Sequence, residues 1–540
     1  MEYHCLPFRE IPQTTKLFVS FLDDFSTVNQ FYAHVPDDSG VRSAAKEVHL
    51  DAGTRKVVVD ILREQNKQLG SDAATEKNIE RLAAGAVAIV TGQQVGLFSG
   101  PAYSIYKALD AIHWAEKLTQ SGLNAVPIFW MATEDHDLAE VNQVFFGGRE
   151  GIARMELPLD AAAAGGSVGR IPLGNMAGVA VEHAVELLEG PGLPAIAEAL
   201  RASYRDGETF GSAFGKFVAR LLKGRGLILL DPLDARLHEL ARPVYRKAVE
   251  ESQPLVEELI ARDKILEKRG FHAQVKVTQQ ATLLFLNVNG KRQPVRQRNG
   301  GFAAGDLKLT VRELLEKVDD AAHQLTPSVL LRPVLQDSLL PTAAYIGGPA
   351  EVAYMAQAQI VYRRMLGRMP AILPRASFTL IEPTVTRAMK KYALDFRDAL
   401  HGRQIVRRKM ELNSLPRGLA AKFTRDHRGL KRILGSYRAQ LERLDKSLPA
   451  ALDTVERKIL YQFEKMRGKA GRAENFRTGV LDRHEREILS ALFPHHGLQE
   501  RTLCLLPFLV RQGTELLDRL SGEISAETNG PCSGHRVVML

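Results

Sequence analysis

Two short apolar runs, AVAIV (86–90) and VPIFWMA (126–132), bracket a stretch of helical spacing, and that order leaves few folds open. Ala102, Ile105, Tyr106, Leu109, Ile112 and Leu118 recur at the period of a helix that buries one face. Short β-branched runs suit strands buried on both faces. Strand, helix, strand predicts two parallel strands joined by a right-handed crossover, hence an open α/β sheet. Each run ends in a polar cluster: TGQQVGLFSG (91–100) after the first and TEDHD (133–137) after the second. Ligands of open α/β sheets bind outside the carboxyl ends of the strands, so both clusters are candidate site elements.

The pattern recurs. PTAAYIGG (341–348) leads into Pro349 and a helical stretch, EVAYMAQAQIVYRRML, and MPAILPRAS (369–377) reads as a further strand. Setting Gly100 on Gly348 matches Gly-Pro-Ala, then Tyr106 with Tyr354 and Ala108 with Ala356. Pro101 is expected at the first position of its helix, with Ser99 or Gly100 as cap. Two helix N-termini at one crevice would offer free N–H groups and partial positive charge to an anion.

Between and beyond these units, 145–157 and 167–173 read as short strands and turns, 179–223 as mostly helical, and LILLDP (227–232) as a buried strand. Residues 283–295, centred on Asn289-Gly290, read as a hairpin. From about residue 383 the spacing changes. Leu430, Leu434, Tyr437, Leu441, Leu444, Leu448, Ala451 and Val455 alternate four and three apart, which is heptad spacing. Pro449 interrupts it; a helix-interior proline costs about 3 kcal/mol, whereas a first-turn proline is welcome. Two helices meeting near Pro449 are therefore expected. HRVVML (535–540) reads as a last strand returning to the core. The expected division is a core over 1–384 with insertions at about 145–225 and 235–325, a basic arm over 385–478, and a returning segment over 479–540.

The formal charge of +9 is unevenly placed: residues 386–475 hold 23 Lys and Arg against 10 Asp and Glu, so the rest of the chain is net acidic. A basic segment can attract polyanions, or it can be the solvated face of a helical arm. Its aromatics (Tyr392, Phe396, Phe423, Tyr437, Tyr461 and Phe463) are sparse and partly at core spacing, which speaks against nucleic acid as a partner. No apolar run approaches the ~18–20 residues that span a bilayer. The start lacks a basic stretch followed by an apolar one, and Cys5, Cys504 and Cys532 form neither a disulfide framework nor a zinc spacing. The cytoplasm is the expected compartment.

Gly92, Gly96 and Gly100 match neither GxGxxG nor a Walker loop. They are either turn glycines or a ligand loop. Gln93 and Gln94 carry amides suited to hydroxyls and carboxylates. Lys107, about two turns into the helix, faces the crevice or water. Glu134, Asp135, His136 and Asp137 can bind a divalent metal, orient an amine or supply a general base; the plain alternative is a helix start with acidic residues at its positive end. No second His/Cys cluster has zinc spacing, so no metal ligand is assigned. His495-His496 beside Pro494 reads as structural or solvated. Arg332 offers a planar fork for carboxylate or phosphate, or else pairs with Asp337; Arg375 has the same ambiguity. Tyr103, Gln336, Asp337, Gly347 and Gly348 complete the candidate binding set.

TGQQVGLFSGPAYSIYKAL, PIFWMATEDHDLAEVN, VLLRPVLQDSLLPTAAYIGGPAEVAY and LPRASFTLIE resemble the bacillithiol biosynthesis cysteine-adding enzymes, the cysteine ligases. IPQTTKLFVSFLDDF, VERKILYQFEKM and LQERTLCLLPFL are similar too, so the resemblance spans nearly the whole chain; 161–225 is its least recognisable part. It implies a Rossmann-like, nucleotidyltransferase-like core with inserted connecting segments and a helical coiled-coil arm. It also implies a reaction, the joining of cysteine through its carboxyl to the amine of glucosaminyl-malate, the last step of bacillithiol synthesis. A free carboxylate must be activated before it forms an amide, and ATP, with Mg2+ accompanying the nucleotide, is the expected agent. Phosphoryl charge is then expected at the helix N-termini of Gly100 and Gly348, with Lys107 and Arg332. His136 or Asp135 would orient or deprotonate the amine, and Gln93 and Gln94 would bind sugar or malate groups. The chain has no HxGH signature and no KMSKS-like loop, so acyl-phosphate and acyl-adenylate both stay open. The basic arm can instead hold a nucleotide, and it can make a homodimer or pack within one chain. The competing reading is a scaffold that binds a nucleotide or sugar acid without turnover.

Overall fold

In chain order the strands are β1 (Tyr3–Leu6), β2 (Val87–Gln93), β3 (Ala125–Met131), β4 (Gln143–Gly148), β5 (Gly151–Glu156), β6 (Ile228–Leu230), β7 (Ala281–Val288) and β8 (Lys291–Arg298). They continue with β9 (Gly301–Ala304), β10 (Leu307–Leu309), β11 (Leu325–Pro327), β12 (Thr342–Gly347), β13 (Ala371–Pro374), β14 (Phe378–Ile381) and β15 (His535–Met539). The structure, a computed structural model, describes residues 3–148, 150–159, 165–528 and 534–540.

The two opening runs become β2 and β3, adjacent and parallel, joined by the Tyr103–Gln120 helix. Every residue of β3 is buried. Its side chains alternate between layers: Val126, Ile128 and Trp130 enter one apolar cluster, Phe129 and Met131 the other. The full sheet runs β13-β12-β2-β3-β6, all parallel. Counted along the chain this is the order 3-2-1-4-5 of a Rossmann-like sheet, reversing between β2 and β12. That reversal opens a crevice at the carboxyl ends, where Gly92–Gln94 and Gly347-Gly348 lie. Gly92 is needed for the sheet itself: a Cβ there would stand 2.8 Å from the Trp130 carbonyl oxygen.

An inserted antiparallel sheet, β10-β9-β8-β7-β11, stands over the crevice. Its β7–β8 turn has φ of 52° at Asn289 and 79° at Gly290, the left-handed pair that Asn-Gly favours in a two-residue hairpin. A third sheet, β1-β15-β14, ties both ends of the chain together, as the last apolar run suggested. Cys504 is buried and free. Cys5 is disulfide-bonded, a cross-link that the scattered cysteines did not announce.

Three local expectations change. The first helix begins at Tyr103, not Pro101, because Phe98 and Ser99 take left-handed φ (52° and 75°) and Pro101 completes the turn. Residues 167–173 form a 3-10 turn at Val168–Arg170 and a single bridge, Pro172 to Thr209, rather than strands. The stretch after it is helical as expected, in Met176–Leu187, Leu193–Ser203 and Phe210–Leu221.

In the arm, helices Arg417–Ser436 and Arg438–Leu444 run out and Leu448–Thr478 runs back. Arg438 pairs with Asp453, Phe423 meets Phe463 at 5.2 Å, and Arg472 reaches Glu411 at 2.7 Å. Such pairings define an antiparallel hairpin, with Pro449 in the first turn of the returning helix. Among the described residues no helix is long and apolar enough to cross a membrane.

Candidate functional site

A cavity of about 660 Å³ occupies the crevice between β2 and β12. Its floor is Gly92, Gln93, Gln94, Tyr103, Lys107, Glu134, Asp135, Arg332, Gly348 and Arg375. Phe285 and Arg292 of the inserted sheet roof it. Gly96, Gly100, His136, Asp137, Gln336, Asp337 and Gly347 lie outside its lining.

The glycine loop is a turn. Two of its amides close it on itself, Gly96 N donating to Gln94 O (3.0 Å) and Gly100 N to Leu97 O (2.9 Å), and Ala102 N just beyond donates to Leu503 O (2.8 Å). A Cβ on Gly96 would stand 2.9 Å from Gly100 Cα, so the glycines let two backbone segments touch. The second helix start is also taken. Glu351, three residues past the Gly348 cap, accepts the Gly348 amide (2.7 Å) and the Tyr345 hydroxyl (2.6 Å), and it pairs with Lys107 Nζ (2.5 Å). Gly347 only gives it room, its own Cβ position lying 3.0 Å from Glu351 Cβ. The chain's own carboxylate thus sits at the Gly348 amide, where an incoming anion was expected. Lys107 gives its other protons to Gly92 O (2.7 Å) and Gln93 Oε1 (3.1 Å). An ammonium has three donors, so Lys107 has none left for a ligand. Burial pulls Lys107 down, and burial opposes the Glu351 charge too, but Lys107 and the Gly348 amide hold that carboxyl below its usual range.

Arg332 donates to Tyr354 OH (2.8 Å), Tyr345 OH (3.3 Å) and Gln336 Oε1 (3.3 Å). The weighed pair with Asp337 does not form; Asp337 takes the Tyr362 hydroxyl and the Gln336 amide instead, inside the core. Among the described residues Arg332 has no carboxylate in salt-bridge contact, so a cation with spare charge lines the cavity. Arg375 differs: it is locked to buried Glu500 (2.6 Å) and to the Ala376 carbonyl (2.8 Å).

The Glu-Asp-His-Asp cluster splits four ways. Asp137 caps the Leu138–Val141 helix through Glu140 N (3.2 Å), the plain helix-start role. His136 is 44% exposed, with Nδ1 3.0 Å from an Arg292 nitrogen. Asp135 accepts from the Gln94 amide and from His136 N, each at 2.7 Å; burial opposes its charge, but these bonds and Arg292 hold it below the usual carboxylate range. Glu134 is 5% exposed, lines the cavity, and has an Oε1 without a hydrogen bond. Burial pushes its carboxyl up to about 8, with Arg292 and Arg332 pulling the other way.

Arg292 was missed by sequence reasoning. Its guanidinium lies 3.7 Å over the Phe285 ring and donates to Thr326 Oγ1 and the Pro327 carbonyl, both at 2.8 Å. Nothing in KRQPVRQR sets it apart from Arg296 or Arg298 until the hairpin register is known. Glu351 did leave a signal, the Glu three residues after a helix cap. Trp130, read only as a strand residue, lines the cavity and has a buried indole N–H without a partner. Among the described residues no three His, Cys, Asp or Glu side chains are grouped to hold a metal.

A parallel sheet in Rossmann order with its cavity at the reversal, joined to an antiparallel helical arm, defines the class: a Rossmann-like α/β protein with a coiled-coil domain. Family models describe both parts. Residues 1–376 match the bacillithiol biosynthesis BshC N-terminal Rossmann-like domain, and residues 378–530 the BshC C-terminal coiled-coil domain. The chain belongs to the BshC family of bacillithiol biosynthesis. A relative in Koribacter versatilis is 40% identical over 539 residues, 99% of each chain, and one in Solibacter usitatus is 36% identical over all of both chains. A third, from Salinibacter ruber, is 32% identical over 97% of this chain and 96% of its own. All three bear the name "Putative cysteine ligase BshC".

Proposed function

We propose that the protein is a ligase that joins L-cysteine, through its carboxyl, to the amine of glucosaminyl-malate, with the carboxylate activated by ATP. One observation carries this reading: a single cavity holds a buried carboxyl with raised proton affinity, Glu134, and a guanidinium without a carboxylate partner, Arg332. An amine arrives largely as ammonium and must lose a proton to attack an acyl carbon. A general base whose pKa lies near the working pH suits that task. In this reading Glu134 takes the proton, and Asp135 and His136 hold Arg292 at the rim. Arg332, and Arg501 from the same cavity lining, meet substrate carboxylates, and Gln93, Gln94 and Tyr103 meet hydroxyls. ATP is a co-substrate, and Mg2+ arrives on its phosphates. The protein works in the cytoplasm on small molecules, not on a membrane or nucleic acid.

The test is mass spectrometry of the reaction with cysteine, glucosaminyl-malate, ATP and magnesium. The expected product has the summed mass of the two substrates less one water. ADP beside it marks an acyl-phosphate, AMP an acyl-adenylate. Folded protein that binds both substrates and forms no product would leave the scaffold reading. On that reading an anion in a second cavity, about 730 Å³ in the arm, would meet Arg408 and Lys465, since Glu411 and Glu485 in the same lining already pair with Arg403, Arg407 and Arg472.

We also propose that the arm pairs with a second copy. Two of its heptad positions stay open within one chain, Tyr437 at 52% and Leu444 at 78% exposed. Light scattering should give twice the 59.8 kDa chain mass, and a single-chain mass would sink the idea.

A further inference from the structure

Behind Glu134, on the side away from the cavity, stands a histidine that the proposed reaction has not used. β6 neighbours β3 in the sheet, and the Ala235–Leu240 helix that follows it places His238 behind the end of β3. His238 Nε2 lies 3.5 Å from Glu134 Oε1, a buried oxygen that makes no hydrogen bond. The other ring nitrogen, Nδ1, is 3.0 Å from Tyr245 OH, and the two rings stack 6.1 Å apart at 15°. Tyr245 belongs to the next helix, Arg242–Glu250, and its hydroxyl donates to Leu325 O at 3.3 Å. His238 is 3% exposed and Tyr245 fully buried.

Counting protons orients this chain. A phenol has one proton, and Tyr245 gives it to Leu325 O. With that proton donated to Leu325 O, the Tyr245 oxygen accepts from Nδ1–H of His238, one of the two tautomers that the 3.0 Å contact allows. A neutral imidazole protonated at Nδ1 has a lone pair at Nε2, and that pair faces Glu134. Only a protonated carboxyl can donate to it. Pro232 O competes for the single ring proton, and Arg170, His323 and Asp234 are the charged or titratable neighbours of the ring; Arg292, Arg332, Asp231 and Asp135 are those of Glu134.

We propose that His238 is a positioning residue for Glu134: its Nε2 lone pair receives the carboxyl proton and so fixes the carboxyl's orientation and its affinity for a proton. This rests on the reading of Glu134 as proton acceptor. In the step itself an N–H bond of the ammonium breaks and an O–H bond forms on the carboxylate. The electron pair stays on nitrogen, and one positive and one negative charge become none. The new O–H then points at Nε2. Burial, the largest influence on each group, pushes Glu134 up to about 8 and His238 down to about 4, in keeping with a protonated acid beside a neutral ring. A hydrogen bond made only to the neutral form of an acid raises its pKa, so removing the acceptor lowers it.

The experiment uses the full chain with His238→Leu, Tyr245→Phe and His238→Gln, the last keeping an acceptor oxygen. kcat should fall about 10–100-fold in His238→Leu with KM little changed, the usual effect of losing a residue that orients an active group. The acid limb of its pH–rate profile should move to lower pH, Tyr245→Phe should move it less, and His238→Gln should restore part of both. A parallel measurement needs no turnover: the infrared band of the protonated carboxyl, assigned by its loss in Glu134→Gln, is titrated in wild type and His238→Leu. A lower midpoint in His238→Leu supports the proposal even where no product forms, a case that would sink the ligase reading alone. An identical midpoint in both overturns the proposal even where wild type is active. If His238→Leu does not fold, Tyr245→Phe decides: a lower midpoint than wild type supports the proposal, an identical one overturns it, and His238→Gln, which keeps an acceptor, should stay closer to wild type than Tyr245→Phe.

Discussion

Replacing Glu134 by glutamine is expected to cut turnover about 10²–10⁴-fold, the span that general acid–base catalysis supplies. Folding should not suffer, and above neutral pH it should gain. The sign follows from proton counts. The folded carboxyl titrates near 8, against 4.5 for the free group, so between those values the folded state holds a proton that the unfolded chain has lost. Stability therefore falls as pH rises through that window, and above about 8 the full cost of a buried charge is present. Glutamine carries no such cost. Melting curves from about pH 5 to pH 9, run beside kcat, should show the variant's advantage growing with pH while its activity stays low. A fall in kcat of less than about tenfold would remove Glu134 as proton acceptor.

The sheet was legible because its strands are bare apolar runs, and burial on both faces leaves such runs no other use. Asn289-Gly290 named its hairpin, and Pro449 placed the reversal of the arm, since each residue restricts its own backbone. The site was legible only as an address. Gly96 and Gly100 tell where a chain turns tightly, not where its amides point, and here Gln94, Leu97 and Leu503 take them. The match of Tyr106 to Tyr354 shows the same limit. Tyr106 packs edge-on against Phe378 in the core, whereas Tyr354 holds Arg332 at the cavity. Charges were the least legible of all. Whether Lys107, Arg332 or Arg375 faces a ligand depends on which carboxylate folding brings beside it. Glu351 and Glu500 come from distant parts of the chain.

Lys107 gives the other large effect. Lys107→Met is expected to lower the unfolding free energy by about 3–5 kcal/mol, because it strands a partner charge in a buried pair. Glu351 would keep the Gly348 amide and the Tyr345 hydroxyl but lose its counter-charge, and Gly92 O and Gln93 Oε1 would lose their donor. Lys107→Arg should not rescue it, since a planar fork of five donors cannot replace a compact ammonium that serves three converging acceptors. Pairing Lys107→Met with Glu351→Leu should restore much of the stability, as apolar replacement of a whole buried pair is often neutral or better. A double-mutant cycle in denaturant reads the coupling between the two. The same variants decide what the lysine is for. The pair ties the end of β2 to the helix after β12 across the reversal of the sheet, so its loss should loosen the cavity floor and weaken every ligand alike. Lys107→Met that melts like wild type yet loses ATP binding alone would return Lys107 to the role of phosphate ligand, with Glu351 as the partner it leaves when the nucleotide arrives.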